Sequence, residues 1–308
     1  MLGRTTSKLR HFLRVLSQET RFDHDDSLPS EFYERQPASA TAGRVRLHGR
    51  RSMVRPGSVE FRGLVSKVAA TSERWREAQR AERQFWEGVP QDSATVASII
   101  ESAAGLGAWA QAELGGALPD GPWVDIGIGP LGVGCGQFVR VDRGTEVVGV
   151  DPLQLAELEP GRLPAPLRAA LDDCRGQGYR HVVARGEETG LADAAYGMAI
   201  LANMLDHVQD PAAVLRECCR LLRPDGILLI SCDVFSALGR AKHRWYNRRR
   251  MRDSVLVRAH PFRFTAKDLR ELIASAGFRL VAEDGGPAGV RGRLVGRSSQ
   301  MVALARPR

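Results

Sequence analysis

Hydrophobic and polar residues change their pattern near residue 120. Residues 64–86 and 93–114 carry apolar side chains at three- and four-residue spacing, which predicts two amphipathic helices. Beyond residue 120, short apolar runs alternate with helical segments. The predicted strands are 123–127, 146–150, 180–184, 198–203, 227–231, 278–283 and 299–305, and the predicted helices lie near 164–175, 210–222 and 265–276. This order predicts an α/β fold with a doubly wound, mostly parallel sheet, an antiparallel C-terminal strand and an N-terminal helical extension.

The same pattern suggests three regions. Residues 1–65 are basic and broken by prolines, and only a short helix near 6–18 is expected there. Residues 66–118 form a helical cap on the substrate side, and residues 119–308 form the cofactor-binding domain. An arginine-rich insert interrupts that domain at about 236–260.

Composition narrows the class of protein. The chain has 308 residues, 43% of them hydrophobic, and a formal net charge of +8. These values are typical of a globular protein. The sequence shows neither a run of membrane-spanning length nor a secretory signal, so we expect a cytoplasmic protein without a membrane partner. Its five cysteines lack the spacing of a zinc site.

A glycine-rich turn carries the chemistry. An apolar strand leads into the glycines of residues 127–132, and the next strand ends at Asp151. Such a turn lets a cofactor approach the backbone, and the acid can bind ribose hydroxyls. Asp125 could hold an ammonium group, and Pro130 offers no N–H to a pyrophosphate. The turn therefore favours S-adenosyl-L-methionine (SAM), a sulfonium cation without phosphate, over a dinucleotide.

Residues 122–308 resemble the class I SAM-dependent methyltransferases of type 11. The resemblance rests on six segments in the family's order: 125–132, 149–153, 186–188, 203–211, 221–226, and 260–265 with 276–278. It implies SAM as cofactor and S-adenosyl-L-homocysteine (SAH) as product. The cofactor-binding residues that it implies are Asp125, Gly127, Gly129, Gly132, Asp151, Pro152, Glu187, Glu188 and Asn203. In this scheme Asp151 binds the ribose, and Glu187, or Glu188 one residue later, binds the adenine.

Three features depart from the family pattern: Gly197, Asp225 in place of the first glycine of the usual Pro-Gly-Gly, and the gap of 24 residues between Gly127 and Asp151. Gly197 stands where the family usually has an acid. We expect this glycine to loosen the start of the fourth strand.

Candidate catalytic residues follow the fourth strand. His207 could act as a general base, because an unperturbed imidazole pKa of about 6.5 suits proton removal at neutral pH. Asp206 would accompany it, and His260 is a weaker candidate of the same kind. In the alternative interpretation, Asp206 caps the following helix and His207 only packs nearby. The clustered acids of magnesium-dependent methyltransferases are not recognised, so no metal site is predicted.

The acceptor is less defined by the sequence. In this fold the segment after the fifth strand often covers the substrate, so Tyr246, Arg248 and Arg249 of the arginine-rich insert are candidates to bind an anionic group. The leading hypothesis is O- or N-methylation of a small molecule in a bacterial secondary-metabolite or glycan pathway. An RNA or protein methyltransferase is the first alternative, although no recognised RNA-binding module supports a nucleic-acid partner. A non-catalytic binding module is the second. The sequence does not indicate an oligomeric state.

Overall fold

The structure is a computed structural model, and it describes a defined part of the chain. The described residues are 69–89, 92–116, 118–130, 132, 134–139, 145–153, 179–241, 258–285 and 298–308, with positions 165, 169, 172 and 176. The chain divides into two units, Met1–Gly63 and Leu64–Arg308, and every described residue lies in the second. The helix predicted near 6–18 and the candidate residues Tyr246, Arg248 and Arg249 lie outside the described residues.

Among the described residues, five helices and seven strands have defined bounds. The helices are α1 Ser72–Gly88, α2 Ser93–Glu113, α3 Gly136–Val139, α4 Pro211–Leu221 and α5 Ala266–Ser275. The strands are β1 Trp123–Ile126, β2 Val147–Val150, β3 Tyr179–Val182, β4 Tyr196–Ala202, β5 Leu222–Phe235, β6 Phe278–Gly285 and β7 Ser298–Pro307. The helix predicted near 164–175 falls mostly outside the described residues.

Side chains at the helix starts account for three of these boundaries. Asp92 accepts hydrogen bonds from the first turn of α2. Asp210 caps α4, whose first residue is Pro211. Thr265 and Asp268 form a capping box at α5. These contacts satisfy N–H groups that have no partner inside the helix.

The seven strands form one sheet in the order β3-β2-β1-β4-β5-β7-β6. The first five strands run parallel to their neighbours, and β7 is antiparallel to both β5 and β6. The predicted fold class is therefore confirmed. In this order β2 and β3 lie on one side of β1, and the chain then crosses over to β4 on the opposite side of β1. The carboxyl ends of β1, β2 and β4 thus meet at the point where such sheets bind ligands.

The fifth strand is longer than predicted. A turn at 223–226 and a strand at 227–231 were expected, yet β5 runs from Leu222 to Phe235. The turn residues form a bulge inside it, because the pairing with β4 passes from Tyr196↔Leu222 directly to Met198↔Ile227. The added C-terminal residues pair with β7. A period-two pattern could not reveal this length, since most of β5 is buried on both faces.

Helices cover both faces of the sheet. On one face, Leu106 and Ala110 of α2 belong to a buried cluster with Trp123 and Met198. On the other face, α4 and α5 contribute to a larger cluster that includes Val124, Val148, Ile230, Leu215 and Leu272. Burial of these apolar side chains stabilises the fold and holds the strand ends at fixed positions.

Gly197 has a packing role that the sequence did not indicate, and the expected loosening of β4 stays a prediction. Gly197 lies in β4 where the strand is buried, and its N–H donates to the Pro122 carbonyl at 2.9 Å. A Cβ at this position would lie 2.2 Å from the carbonyl oxygen of Asp120. The glycine therefore permits close packing of the segment before β1.

Gly197→Ala should destabilise the protein by about 3 kcal/mol, because backbone must move to admit the methyl group. The free energy of unfolding from urea denaturation would measure this loss. Gly105→Ala is the matched control, since a Cβ there meets nothing within 4 Å. It should raise stability by about 1 kcal/mol through helix propensity. Equal stabilities of the two variants would contradict the packing argument.

Candidate active site

The glycine-rich turn follows β1 and requires glycine at specific positions. Gly127 and Gly129 have φ values of 79° and 66°. A Cβ on Gly127 would lie 2.7 Å from the Met204 side chain, and one on Gly129 would lie 2.9 Å from the Trp86 ring. Gly132 also has a positive φ, of 68°. The turn is thus held closely between α1 and the segment after β4, with its backbone at the sheet edge.

Asp151 follows β2 and fastens this turn. One carboxylate oxygen accepts from the Gly129 N–H at 2.9 Å, and the other accepts from the Leu153 N–H at 2.8 Å. Burial raises the pKa of Asp151 to about 6, although both hydrogen bonds act to lower it. Pro152 lies next to this carboxylate in the chain, but no contact of its side chain defines a role.

This pKa has a consequence for cofactor binding. In the predicted role of Asp151, ribose hydroxyls would donate to the ionised carboxylate, so binding should release a proton from the fraction of Asp151 that is protonated. The affinity for SAH should therefore rise as the pH increases from 5 to 7, by up to about tenfold per unit below pH 6. Calorimetric titration across this range measures the slope. An equally steep slope in Asp151→Asn would assign the effect to another group.

Asp125 is placed deeper than its predicted role suggests. It is 1% exposed, and its carboxylate accepts from the Gly136 N–H of α3 at 3.0 Å. In this arrangement Asp125 holds the turn to the short helix. Its contact with the ammonium group of the cofactor stays a prediction.

Glu187 and Glu188 differ in their surroundings. One oxygen of Glu187 accepts from the N–H groups of Gln209 and Asp210 at 2.8 and 3.1 Å, and it also lies 3.1 Å from Arg185. Glu187 therefore anchors the approach to α4. Glu188 is exposed. The assignment of adenine recognition to either acid stays a prediction.

Asn203 ends β4 in an unusual backbone conformation. Its φ is 51°, and its N–H donates to the Ser231 carbonyl at 2.9 Å. Asparagine tolerates this left-handed region better than most residues. The conformation turns the chain out of the sheet, so that Asp206 and His207 follow within the same short segment. The exposed side chain of Asn203 lies at the carboxyl edge of the sheet, as predicted from its sequence position.

The three candidate catalytic side chains come together. His207 Nε2 lies 3.7 Å from one oxygen of Asp206, and His260 Nε2 lies 3.7 Å from the other. The two imidazole rings have centroids 4.2 Å apart. Asp206 is 4% exposed and does not cap α4, which is capped by Asp210. The sequence thus located this group, although its residues are more than fifty positions apart.

A fourth member of the group was not predicted. Glu82 of α1 has one oxygen 3.1 Å from His207 Nδ1, and the other accepts from the Trp86 indole N–H at 2.9 Å. From sequence alone, an acidic residue in a helix is predicted to face solvent, because the residues that pack against the helix are not known. Its position four residues before Trp86 was the available signal.

The charges of the group are strongly coupled. Burial alone would lower the pKa of His207, but Glu82 and Asp206 outweigh it and raise the pKa to about 10. Burial acts to raise the pKa of Glu82, yet His207 brings it below its usual value. His207 is therefore an imidazolium at neutral pH in this arrangement. The argument that an unperturbed imidazole makes a ready base does not apply to it.

Two further properties belong to this edge of the sheet. Asp206, His207 and His260 each offer a nitrogen or oxygen atom within 4.8 Å of the others, a spacing that one metal ion could bridge. The sequence had not indicated such a group.

Burial and the charge of Asp206 raise the pKa of Asp233, near the end of β5, to about 6. Asp233 is a second residue of this region that sequence reasoning missed.

Comparison with known proteins assigns the family. Residues 77–283 match the family model described as a methyltransferase domain. The chain belongs to this methyltransferase family. The predicted family and its cofactor, SAM, are confirmed. Among the described residues, we find no helix with the length and hydrophobicity to cross a bilayer.

Curated relatives match only part of the methyltransferase. The ubiquinone biosynthesis O-methyltransferase of Paracidovorax citrulli is 35% identical over 121 residues, which are 35% of this chain and 47% of that protein. An uncharacterized methyltransferase of Mycobacterium sp. (strain KMS) is 32% identical over 112 residues, 36% of this chain and 38% of its own. The chain thus spans less than half the length of these relatives.

A solved structure supports the fold. The 1,6-didemethyltoxoflavin-N1-methyltransferase of Burkholderia thailandensis, with bound S-adenosylhomocysteine, is 22% identical with a TM-score of 0.50. The match covers 79% of this chain and 93% of that one. At this identity, the similarity concerns the arrangement of strands and helices.

Proposed function

We propose that this methyltransferase moves the methyl group of SAM to a hydroxyl oxygen of a small molecule. The observation that carries the proposal is the position of Asp206, between two imidazoles and directly after the strand beside the glycine turn. The name of the Paracidovorax relative supports oxygen as the acceptor atom.

The cofactor side is assigned to β1, β2 and the glycine turn. The turn brings backbone to the sheet edge, Asp151 accepts from the ribose hydroxyls, and Glu187 or Glu188 recognises the adenine. When bound, SAM supplies a methyl group on a positively charged sulfur. The buried carboxylate of Asp125 and the half-buried one of Asp151 at this edge suit a cation better than a pyrophosphate.

The acceptor side is assigned to the group around Asp206. Asp206 accepts the proton of the acceptor hydroxyl as the oxygen attacks in line. His207, held as an imidazolium, balances the negative charge that develops on the acceptor oxygen. His260 packs against His207 and holds the other oxygen of Asp206. Proximity and exclusion of water supply the remaining rate enhancement.

The arginine-rich insert extends the proposal to a class of acceptor. Tyr246, Arg248 and Arg249 would bind an anionic group on the small molecule, such as a carboxylate or phosphate. A secondary-metabolite or glycan pathway is the corresponding setting. The four side chains of Glu82, Asp206, His207 and His260 are called the transfer group. The insert is basic, whereas the transfer group contains two carboxylates. The anion would therefore bind away from the reacting hydroxyl.

One experiment separates this proposal from its alternatives. SAH binding is first measured by calorimetry. The protein is then incubated with methyl-labelled SAM and, in parallel, with catechols and phenolic acids, nitrogen heterocycles, RNA, and a protein extract. We expect label in a phenolic compound. Transfer to RNA or protein would overturn the small-molecule assignment, and absence of SAH binding would favour a non-catalytic module.

A further inference from the structure

Glu82 connects helix α1 to the transfer group. It lies 41 positions before the start of β1 at Trp123, and its side chain is only 16% exposed. One of its oxygens forms an ion pair with His207, 3.1 Å from Nδ1, and the other accepts from the Trp86 Nε1–H at 2.9 Å. The half-buried carboxylate thus lies between a ring at the acceptor side and a ring at the cofactor turn.

We propose that Glu82 is a positioning residue for methyl transfer, which fixes the His207 ring through Nδ1 and so directs Nε2 toward Asp206. This inference rests on the proposed function, because it assigns a task to His207 in that reaction. It adds a residue of the N-terminal helical region to the transfer site.

The argument depends on the geometry of an imidazole. Rotation of the ring by 180° exchanges nitrogen and carbon positions with little steric change, so packing alone fixes the ring poorly. A carboxylate placed 3.1 Å from Nδ1 favours an N–H at this position and disfavours the flipped ring, since a carbon would then face the acid. The His260 ring, 4.2 Å away, limits movement on a second side.

A different role for Glu82 would act through Trp86. The Trp86 ring contacts the space beside Gly129, so loss of its hydrogen bond could disturb the cofactor turn instead of His207. Trp86→Phe removes the indole N–H donor and keeps an aromatic ring. This variant therefore isolates the cofactor-side effect. Glu87→Ala, an exposed acid on the same helix, is the control for general effects on α1.

The test uses the full chain and two measurements. The first is methylation of 3,4-dihydroxybenzoate at saturating SAM, with SAH affinity measured in parallel. The second is the ¹⁵N spectrum of labelled histidines, with the His207 signal assigned by its loss in His207→Ala. The spectrum reports ring protonation and hydrogen bonding without any turnover, so it decides the question even if this probe is not methylated.

We expect Glu82→Ala to lower kcat by about 10- to 100-fold while the SAH dissociation constant stays within about threefold. Glu82→Gln should recover most of the rate, because its amide oxygen still accepts from Nδ1–H. In the His207→Ala background, Glu82→Ala should have no further effect, as expected for residues that act as one unit. The His207 Nδ1 signal should shift in Glu82→Ala and stay in place in Trp86→Phe.

The inference is overturned if the His207 signal is unchanged in Glu82→Ala. It is also overturned if Trp86→Phe reproduces the full loss of rate together with a matching loss of SAH affinity. Absence of SAH binding by the wild-type protein would instead contradict the proposed function. The ¹⁵N measurement would then still report whether Glu82 holds the ring.

Discussion

Asp151→Asn should weaken SAH binding by about 30- to 150-fold, equivalent to about 2–3 kcal/mol. The carboxylate at the end of β2 can accept from two ribose hydroxyls and already accepts from the Gly129 and Leu153 N–H groups. An amide offers one acceptor oxygen and turns an NH₂ group toward one of these donors. Calorimetric titration with SAH at pH 7.5 measures the loss.

The fold should survive this change. Asparagine has nearly the same shape and carries no charge, so the cost of burying the ionised acid disappears. Thermal denaturation without cofactor should therefore give a midpoint close to that of the wild type. Asp225→Asn, at a side chain 78% exposed, is the control and should bind SAH normally. Normal binding by Asp151→Asn would remove Asp151 from the cofactor site.

Asp206→Asn should lower the rate of methyl transfer by about 100-fold or more, the range expected for loss of a proton acceptor. The side chain is 5% exposed and lies 3.7 Å from both His207 and His260. Its loss removes the proposed proton acceptor and one of the two carboxylates near His207. The measurement is kcat with whichever phenolic acceptor the labelling experiment identifies.

Cofactor affinity distinguishes this effect from a general defect. SAH binding by Asp206→Asn should stay within about threefold of the wild type, because Asp151 and the glycine turn are unchanged. Asp233→Asn provides a comparison at a second partly buried acid of the same region. A rate loss in Asp233→Asn alone would transfer the role of proton acceptor to Asp233.

The sequence predicted the fold well because its signals are local. Apolar runs, cap residues and glycines act over a few positions, and they placed Asp92, Asp210 and Thr265 at the starts of helices. The length of β5 was missed because its pairing partner β7 is remote in the chain. The consequence of Gly197 was also missed, since the clash involves a carbonyl seventy-seven positions away.

The residues of the candidate site that follow strand ends could be predicted from the sequence, and the residue on a helix could not. Asp151, Asp206 and His207 follow strand ends, which is a sequence property, and parallel strands bring such ends together. Glu82 lies on a helix whose docking position no local pattern encodes. Its effect on the pKa of His207 could not be anticipated for the same reason, because the shift arises from a contact across 125 positions.

The ends of the arginine-rich insert are fastened to separate parts of the fold. Arg240 pairs with Asp268 of α5, and Arg74 of α1 donates to the Arg258 carbonyl at 2.6 Å. Residues 242–257 thus leave and rejoin the chain at anchored points. Insertions, deletions and exchanges between these points cost little in chain entropy and leave the sheet intact. Under the proposed role of the insert in acceptor binding, a transplanted segment between these points offers a practical route to redirect the enzyme.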